Sequence, residues 1–227
     1  MASSNQIADG INWAWRYANS DVINNSWGGG APSDAITNAI RNALSQGRGG
    51  SGTVVVFAAG NTSDRRNGHI GSVQYPATLS STTDVISVGA INRHGDPANY
   101  TPDGRIDVVA PSGHDTRSCV GEVVTIDRYG SPGCNDGPNE DFSYTRTFSG
   151  TSAAAPQVSG VAALMLSYTP SLTASQVKSR LRGGADSWGS STMFGAGKLN
   201  AYRALTGGST GGGGSEPCEP VPPQLTC

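Results

Sequence analysis

The segment Ser149-Gly150-Thr151-Ser152-Ala153-Ala154-Ala155-Pro156 carries the pattern richest in chemistry in this chain. A Gly-Thr-Ser turn runs into small residues and a proline, which reads as the start of a helix. Proline is tolerated near such a start because the early helical N–H groups have no intrahelical partner. A serine at this place holds its Oγ over the helix N-terminus, where orphan N–H groups and the positive end of the dipole favour negative charge. Acyl transfer needs that environment, because its tetrahedral intermediate carries an oxyanion beside the nucleophile. The same spacing also fits a serine that merely caps a helix.

Two further clusters fit the same chemistry. Val56-Phe57-Ala58-Ala59-Gly60-Asn61 reads as a buried strand ending in small residues and an amide. Ligands of open α/β sheets bind at that end of the strands, and a side-chain amide there can donate to an oxyanion. Taken alone, Gly60-Asn61 is equally a turn. Asn25-Ser26-Trp27-Gly28 also falls at a strand's C-terminal end. An open backbone edge followed by glycine can pair with an extended peptide; a strand end with a buried Trp is the plainer account.

These clusters need a scaffold, and the hydrophobic pattern supplies one. Residues 5–18 read as a helix, with Ile7, Ile11, Ala14 and Trp15 on one face. Residues 21–27 read as a strand ended by Gly28-Gly29-Gly30. Ser33 fits as the N-cap of a second helix with Ile36, Ile40, Ala43 and Leu44 as its stripe. Residues 53–58 form an apolar β-branched run of the kind buried on both faces of a parallel sheet. Residues 84–90 and 106–109 are further strands. Residues 112–147 read as a long polar excursion, with a hairpin pinned by Cys119–Cys134. Residues 152–168 are apolar around most of their circumference, as in a central helix. Thr173 and Gln176 form a capping box for the next helix, and 196–205 a last short one. The order implies an α/β fold: an open, mostly parallel sheet with helices on both faces.

Together these segments resemble the subtilisin-like (subtilase) serine peptidases. Asp21–Gly28 is similar to that family's substrate strand, and Val54–Asn61 to its strand bearing the oxyanion asparagine. GTSAAAPQVSG at 150–160 is similar to its nucleophile signature. VISVGA at 85–90 and VAPS at 109–112 follow in the same order. The resemblance implies that Ser152 is the nucleophile and that Asn61 donates to the oxyanion together with the Ser152 N–H. It implies that Ser26, Trp27 and Gly28 line the cleft by antiparallel pairing. Ala58, Ala59 and Gly60 would then form one wall of the primary specificity pocket.

One departure is chemical. The family's triad runs Asp, His, Ser along the chain, with Asp-Thr/Ser-Gly and His-Gly-Thr motifs, and neither motif occurs here. Asp115-Thr116 is followed by Arg117, and His69 by Ile70-Gly71. The chain thus reads as an N-terminally truncated, nucleophile-bearing part of the fold. A serine hydroxyl without a general base is a weak nucleophile. His69 and His114, the latter beside Asp115, are the candidates for a substitute base, with a partner chain as the other source. His94 reads as an exposed loop residue, which is also the plain account of the other two.

Calcium is expected as a structural ion, since it is common in the family and Asp127, Asp136, Glu140 and Asp141 offer hard oxygen ligands. The Tyr75-Pro76-Ala77 turn resembles a weak cation position in some members. No cofactor is required.

The 227 residues divide into a catalytic part, 1–205, and a Gly/Ser/Pro-rich linker and tail, 206–227. A net charge of −2 excludes the basic surface that nucleic-acid binding requires. No run of eighteen apolar residues is available to span a membrane. The four cysteines, as local pairs Cys119/Cys134 and Cys218/Cys227, suit secretion, as does the family; no signal peptide is visible. Partners are an extended peptide or a small ester substrate, and a second copy of the chain through exposed sheet edges. Three functions follow: a peptidase, a carboxylester hydrolase that works with a substitute base or none, or a catalytically dead peptide-binding fragment.

Overall fold

The structure is a computed structural model and describes residues 2–113, 123–126 and 144–207. Its centre is a parallel sheet of four strands in the order β1-β2-β3-β4: β1 (Val22–Asn25), β2 (Val54–Ala58), β3 (Ile86–Ile91) and β4 (Val108–Pro111). Val22 pairs with Val54, Val56 with Ile86, and Val88 with Val108. Every side chain of β2 is buried, as its unbroken apolar run predicts.

Alternation along β2 feeds two cores. Val54, Val56 and Ala58 pack against α3 (Thr151–Tyr168), α4 (Ala174–Gly183) and α6 (Ala201–Thr206). Val55, Phe57 and Ala59 face α1 (Ser4–Arg16) and α2 (Asp34–Gln46). Helices therefore cover both faces, as expected from the order of elements. Ala153, Ala154, Ala155, Val158, Val161 and Ala162 are buried, so α3 lies flat against the sheet. The short β5 (Val123–Ile126) and β6 (Tyr144–Phe148) pair antiparallel, in keeping with a hairpin in the polar excursion.

Three details correct the reading of the sequence. Helix α1 begins earlier, because Ser3 and Gln6 form a capping box. Ser33 is the N-cap of α2 but makes no cap bond with its side chain; its carbonyl accepts from Tyr75 Oη at 2.9 Å. The last helix is not continuous over 196–205. Gly197 has φ +131°, and Lys198 instead bridges Val109 and Asp186 as a strand-like segment. That segment lies beside β4 and covers its edge, so among the described residues β1 is the edge left open.

Lys178 of α4 is buried and donates to the carbonyls of Ser80, Thr83 and Val85 at 2.8, 3.0 and 2.8 Å. Asp107 lies 3.5 Å away. Burial lowers the Lys178 pKa, and the Asp107 carboxylate opposes that shift.

Candidate active site

Gly150 starts α3 with φ +87°. A side chain there would be strained, and its Cβ would lie 3.0 Å from Asn61 Nδ2. Two bonds hold this glycine from behind, from side chains that touch each other. Its N–H donates to Tyr100 Oη at 2.9 Å, its carbonyl accepts from Ser112 Oγ at 2.8 Å, and the two hydroxyls are 2.8 Å apart. Tyr100 also donates to Gly113 O. Tyr100 and Ser112 are buried, so the network is screened from water and fully paired.

Thr151 ties the helix start to the end of β2. Its hydroxyl accepts from Gly60 N at 3.1 Å and faces Gly60 O and Asn61 Oδ1 at 3.2 and 3.1 Å. Its own N–H donates to Asn61 Oδ1 at 2.9 Å. Asn61 thus caps α3 from a different loop. With its oxygen held there, its Nδ2 faces the space above Gly150. The Cβ position of Gly150 lies 3.0 Å from Asn61 Nδ2 and 3.6 Å from Ser152 N. The Asn61 amide nitrogen and the Ser152 backbone nitrogen therefore lie near the same space in front of Gly150.

Ser152 is half-buried, and its Oγ donates to Ser26 O at 3.1 Å. In return Ser26 Oγ donates to Ser152 O at 2.9 Å. Pro156 explains why that carbonyl is free. It sits four residues after Ser152, where an ordinary residue would donate to Ser152 O. This proline is therefore past the positions whose N–H groups are unpaired anyway, and the Ser26 hydroxyl supplies the bond it lacks. The chain of polar groups continues outward: Asn24 Nδ2 donates to Ser26 Oγ at 2.9 Å, and Ser159 Oγ to Asn24 Oδ1 at 3.0 Å.

The segments expected to line a cleft follow β1 and end β2. Ser26, Trp27 and Gly28 follow β1, and Trp27 meets Phe57 edge-on at 5.2 Å while its Nε1 donates to Asn25 Oδ1. Ala58 closes β2, Ala59 N donates to Val88 O, and Gly60 turns at φ +108°. Gln74, from the loop before Tyr75, stands between the two walls. Neither Gln74 nor Tyr100 is distinguished in the sequence, since a lone Gln or Tyr in a loop carries no pattern.

No imidazole reaches Ser152 among the described residues. His69 is exposed in a turn whose backbone pairs with Asp64, and His94 is exposed and accepts from Arg93 at 3.1 Å. His114, the four cysteines and Asp127, Asp136, Glu140 and Asp141 lie outside the described residues. Within those residues no group of three or more His, Cys, Asp and Glu could hold a metal ion, and no helix is long and apolar enough to cross a membrane.

Comparison with known proteins gives consistent results. Residues 2–197 match the family model described as the Subtilase family. The chain is 36% identical over 199 residues to subtilisin DY of Bacillus licheniformis, covering 87% of this chain and 61% of that protein. It is 31% identical to the calcium-dependent protease of a Nostoc species, covering 89% of this chain and 34% of that one. Among solved structures, a protease from Pseudoalteromonas arctica superposes with a TM-score of 0.73 at 34% identity, covering 91% of this chain and 59% of the other. The chain thus spans under two thirds of the length of these relatives.

Proposed function

The chain belongs to the subtilase family, and on that premise we propose that it carries the acyl-transfer half of a serine peptidase site, with Ser152 as nucleophile. The observation that carries this reading is the pair of nitrogens, Asn61 Nδ2 and Ser152 N, that both lie close to the space in front of Gly150 at the start of α3. An extended peptide pairs with the backbone of Ser26-Trp27-Gly28, and Ala58-Ala59-Gly60 walls the pocket for the residue whose carbonyl is attacked. Ser152 Oγ adds to that carbonyl, the oxyanion takes the two N–H bonds, and collapse expels the amine to leave an acyl-enzyme. Water then releases the acid.

The proton is the open step. Ser152 Oγ donates to a carbonyl, which orients the hydroxyl but cannot take its proton. With His69 exposed in its own turn, His114 or a partner chain is the proposed source of the base for peptide cleavage. This geometry favours a second reading for the chain by itself: hydrolysis of activated esters, whose leaving groups need no protonation. Labelling with a fluorophosphonate, mapped by mass spectrometry with Ser152→Ala as control, tests the nucleophile. Label on Ser152 alone supports the reading, and a folded chain without label leaves a dead peptide-binding cleft. Turnover of a short p-nitrophenyl ester without casein cleavage then separates the esterase from the peptidase.

The remaining assignments follow the family. Residues 1–205 form the catalytic unit and 206–227 a linker and tail, and secretion fits a peptidase of this family. Calcium is proposed as a structural ion for the 127–141 segment, given its acidic composition and a calcium-dependent relative. Chelation should then lower the melting temperature. The open edge of β1 is the place for self-association, which light scattering reads directly.

A further inference from the structure

Toward their C-terminal ends, α1 and α2 flank a second cleft that the acyl-transfer site does not use. It measures about 720 Å³, within the range of about 300–1,000 Å³ usual for small-molecule sites. Tyr17 follows α1 and leads to the start of β1, and Gln46 closes α2 ahead of β2. Ser26 and Asn61 follow the opposite ends of those two strands. This cleft and the Ser152 site therefore lie at opposite ends of the parallel sheet, and a molecule in one leaves the other open.

The lining combines open aromatic rings with uncommitted amides. Trp13 and Tyr17 are 62% and 67% exposed, so both offer a ring face to solvent. They stand one helical turn apart on the same side of α1, roughly 6 Å along its axis. The Arg16 guanidinium lies 5.7 Å from the centre of the Tyr17 ring and steadies it. Half-buried Trp15 donates its Nε1 to Asn12 Oδ1 at 3.1 Å, and Asn12 Nδ2 has no partner among the described residues. Gln46 Nε2 donates to Asn42 Oδ1 at 3.2 Å, which leaves Asn42 Nδ2 and Gln46 Oε1 for a ligand. Exposed aromatic surface rimmed by polar groups marks interaction sites.

Asp9 and Arg16 are the charged residues of the lining and are opposite in sign, so the cleft offers no net charge. A phosphorylated or strongly basic ligand would find no matching field there, and a wholly apolar one would strand the amides without partners. Ring faces suit the C–H face of a sugar, and neighbouring planar amides suit its hydroxyls. We propose that this cleft binds a neutral carbohydrate chain. Trp13 and Tyr17 are the stacking platforms for its rings, and Asn12, Asn42 and Gln46 bond its hydroxyls. A glycan held there tethers the protein to a polysaccharide or glycosylated surface while the Ser152 end of the sheet stays open. The inference does not depend on the role of Ser152.

Calorimetric titration of the full chain with cellohexaose, chitohexaose and maltohexaose tests this, with hexagalacturonate as an anionic control. At least one neutral hexasaccharide is expected to bind with a Kd below about 1 mM. Trp13→Ala should weaken that binding about tenfold, and Asn42→Ala about threefold. Trp13→Phe, which keeps a ring, should retain most of the affinity and carries the test if the alanine variant does not fold. No binding of any neutral hexasaccharide, an unchanged Kd in Trp13→Ala, or tighter binding of hexagalacturonate would overturn the proposal. Binding of sugar-free albumin peptides in place of the hexasaccharides, lost in Trp13→Ala, would make this a protein-docking face and would overturn it as well.

Discussion

The two flanks of Ser152 are built to different standards. On the Gly150 side, Tyr100, Ser112, Thr151 and Asn61 interlock through bonds of 2.8–3.2 Å, and three of the four side chains are buried. On the Ser26 side the groups are Ser26, Asn24 and Ser159, hydrogen-bonded in a line at an open strand edge. On the proposed reading the first flank would hold donors where charge develops, braced so that they do not relax away. The second contains nothing that titrates near neutral pH. On the proposed reading, stabilisation of an oxyanion and acceptance of a proton are separable parts of one site, and the described residues brace the first independently of the second.

Variants can break or sharpen that contrast. Asn61→Ala should have the largest effect on the paired flank, a loss of about 100- to 1000-fold in ester turnover, the magnitude known for removing the equivalent donor from subtilisin. A loss under tenfold would mean that the amide does not meet the oxyanion. Tyr100→Phe should come next. It strips the acceptor from Gly150 N, so about 1–3 kcal/mol of stability should be lost in denaturant titration, and turnover should fall because the Gly150 turn positions Ser152 N and abuts the Asn61 amide. Ser26→Ala on the other flank should cost less, about 0.5–1.5 kcal/mol, because Ser152 O can find water at that exposed edge. Equal costs for Tyr100→Phe and Ser26→Ala would erase the distinction between the flanks. The smallest effect is expected for His69→Ala: ester turnover should stay within about twofold, as for surface changes away from a site. A large loss would make His69 the missing base.

Much of the scaffold could be read from the chain. The all-buried β2 followed from an uninterrupted β-branched run, and the amphipathic stripes of α1 and α2 from their 3.6-residue period. Ser152, Asn61 and Ser26 were legible because each stands at the end of a strongly patterned element. What could not be read depends on contacts between loops distant in sequence. Tyr100 reaches Gly150 across fifty positions, and no local period marks it. Lys178 looks like a solvent-facing residue of a polar helix, yet three carbonyls of the 80–85 turn converge on its ammonium. Pro156 was legible as tolerated but for another reason, because the compensating Ser26 hydroxyl comes from a different strand end. The 196–200 stretch was misread because Gly197 takes a conformation closed to other residues while its neighbours pair with β4.

The most direct test of the account is the rate at which a fluorophosphonate modifies Ser152, measured side by side in the parent chain and in Asn61→Ala. The account predicts label on Ser152 alone and a rate about a hundredfold slower once the amide is removed. Equal rates in the two chains, or no label on a folded parent, would contradict it.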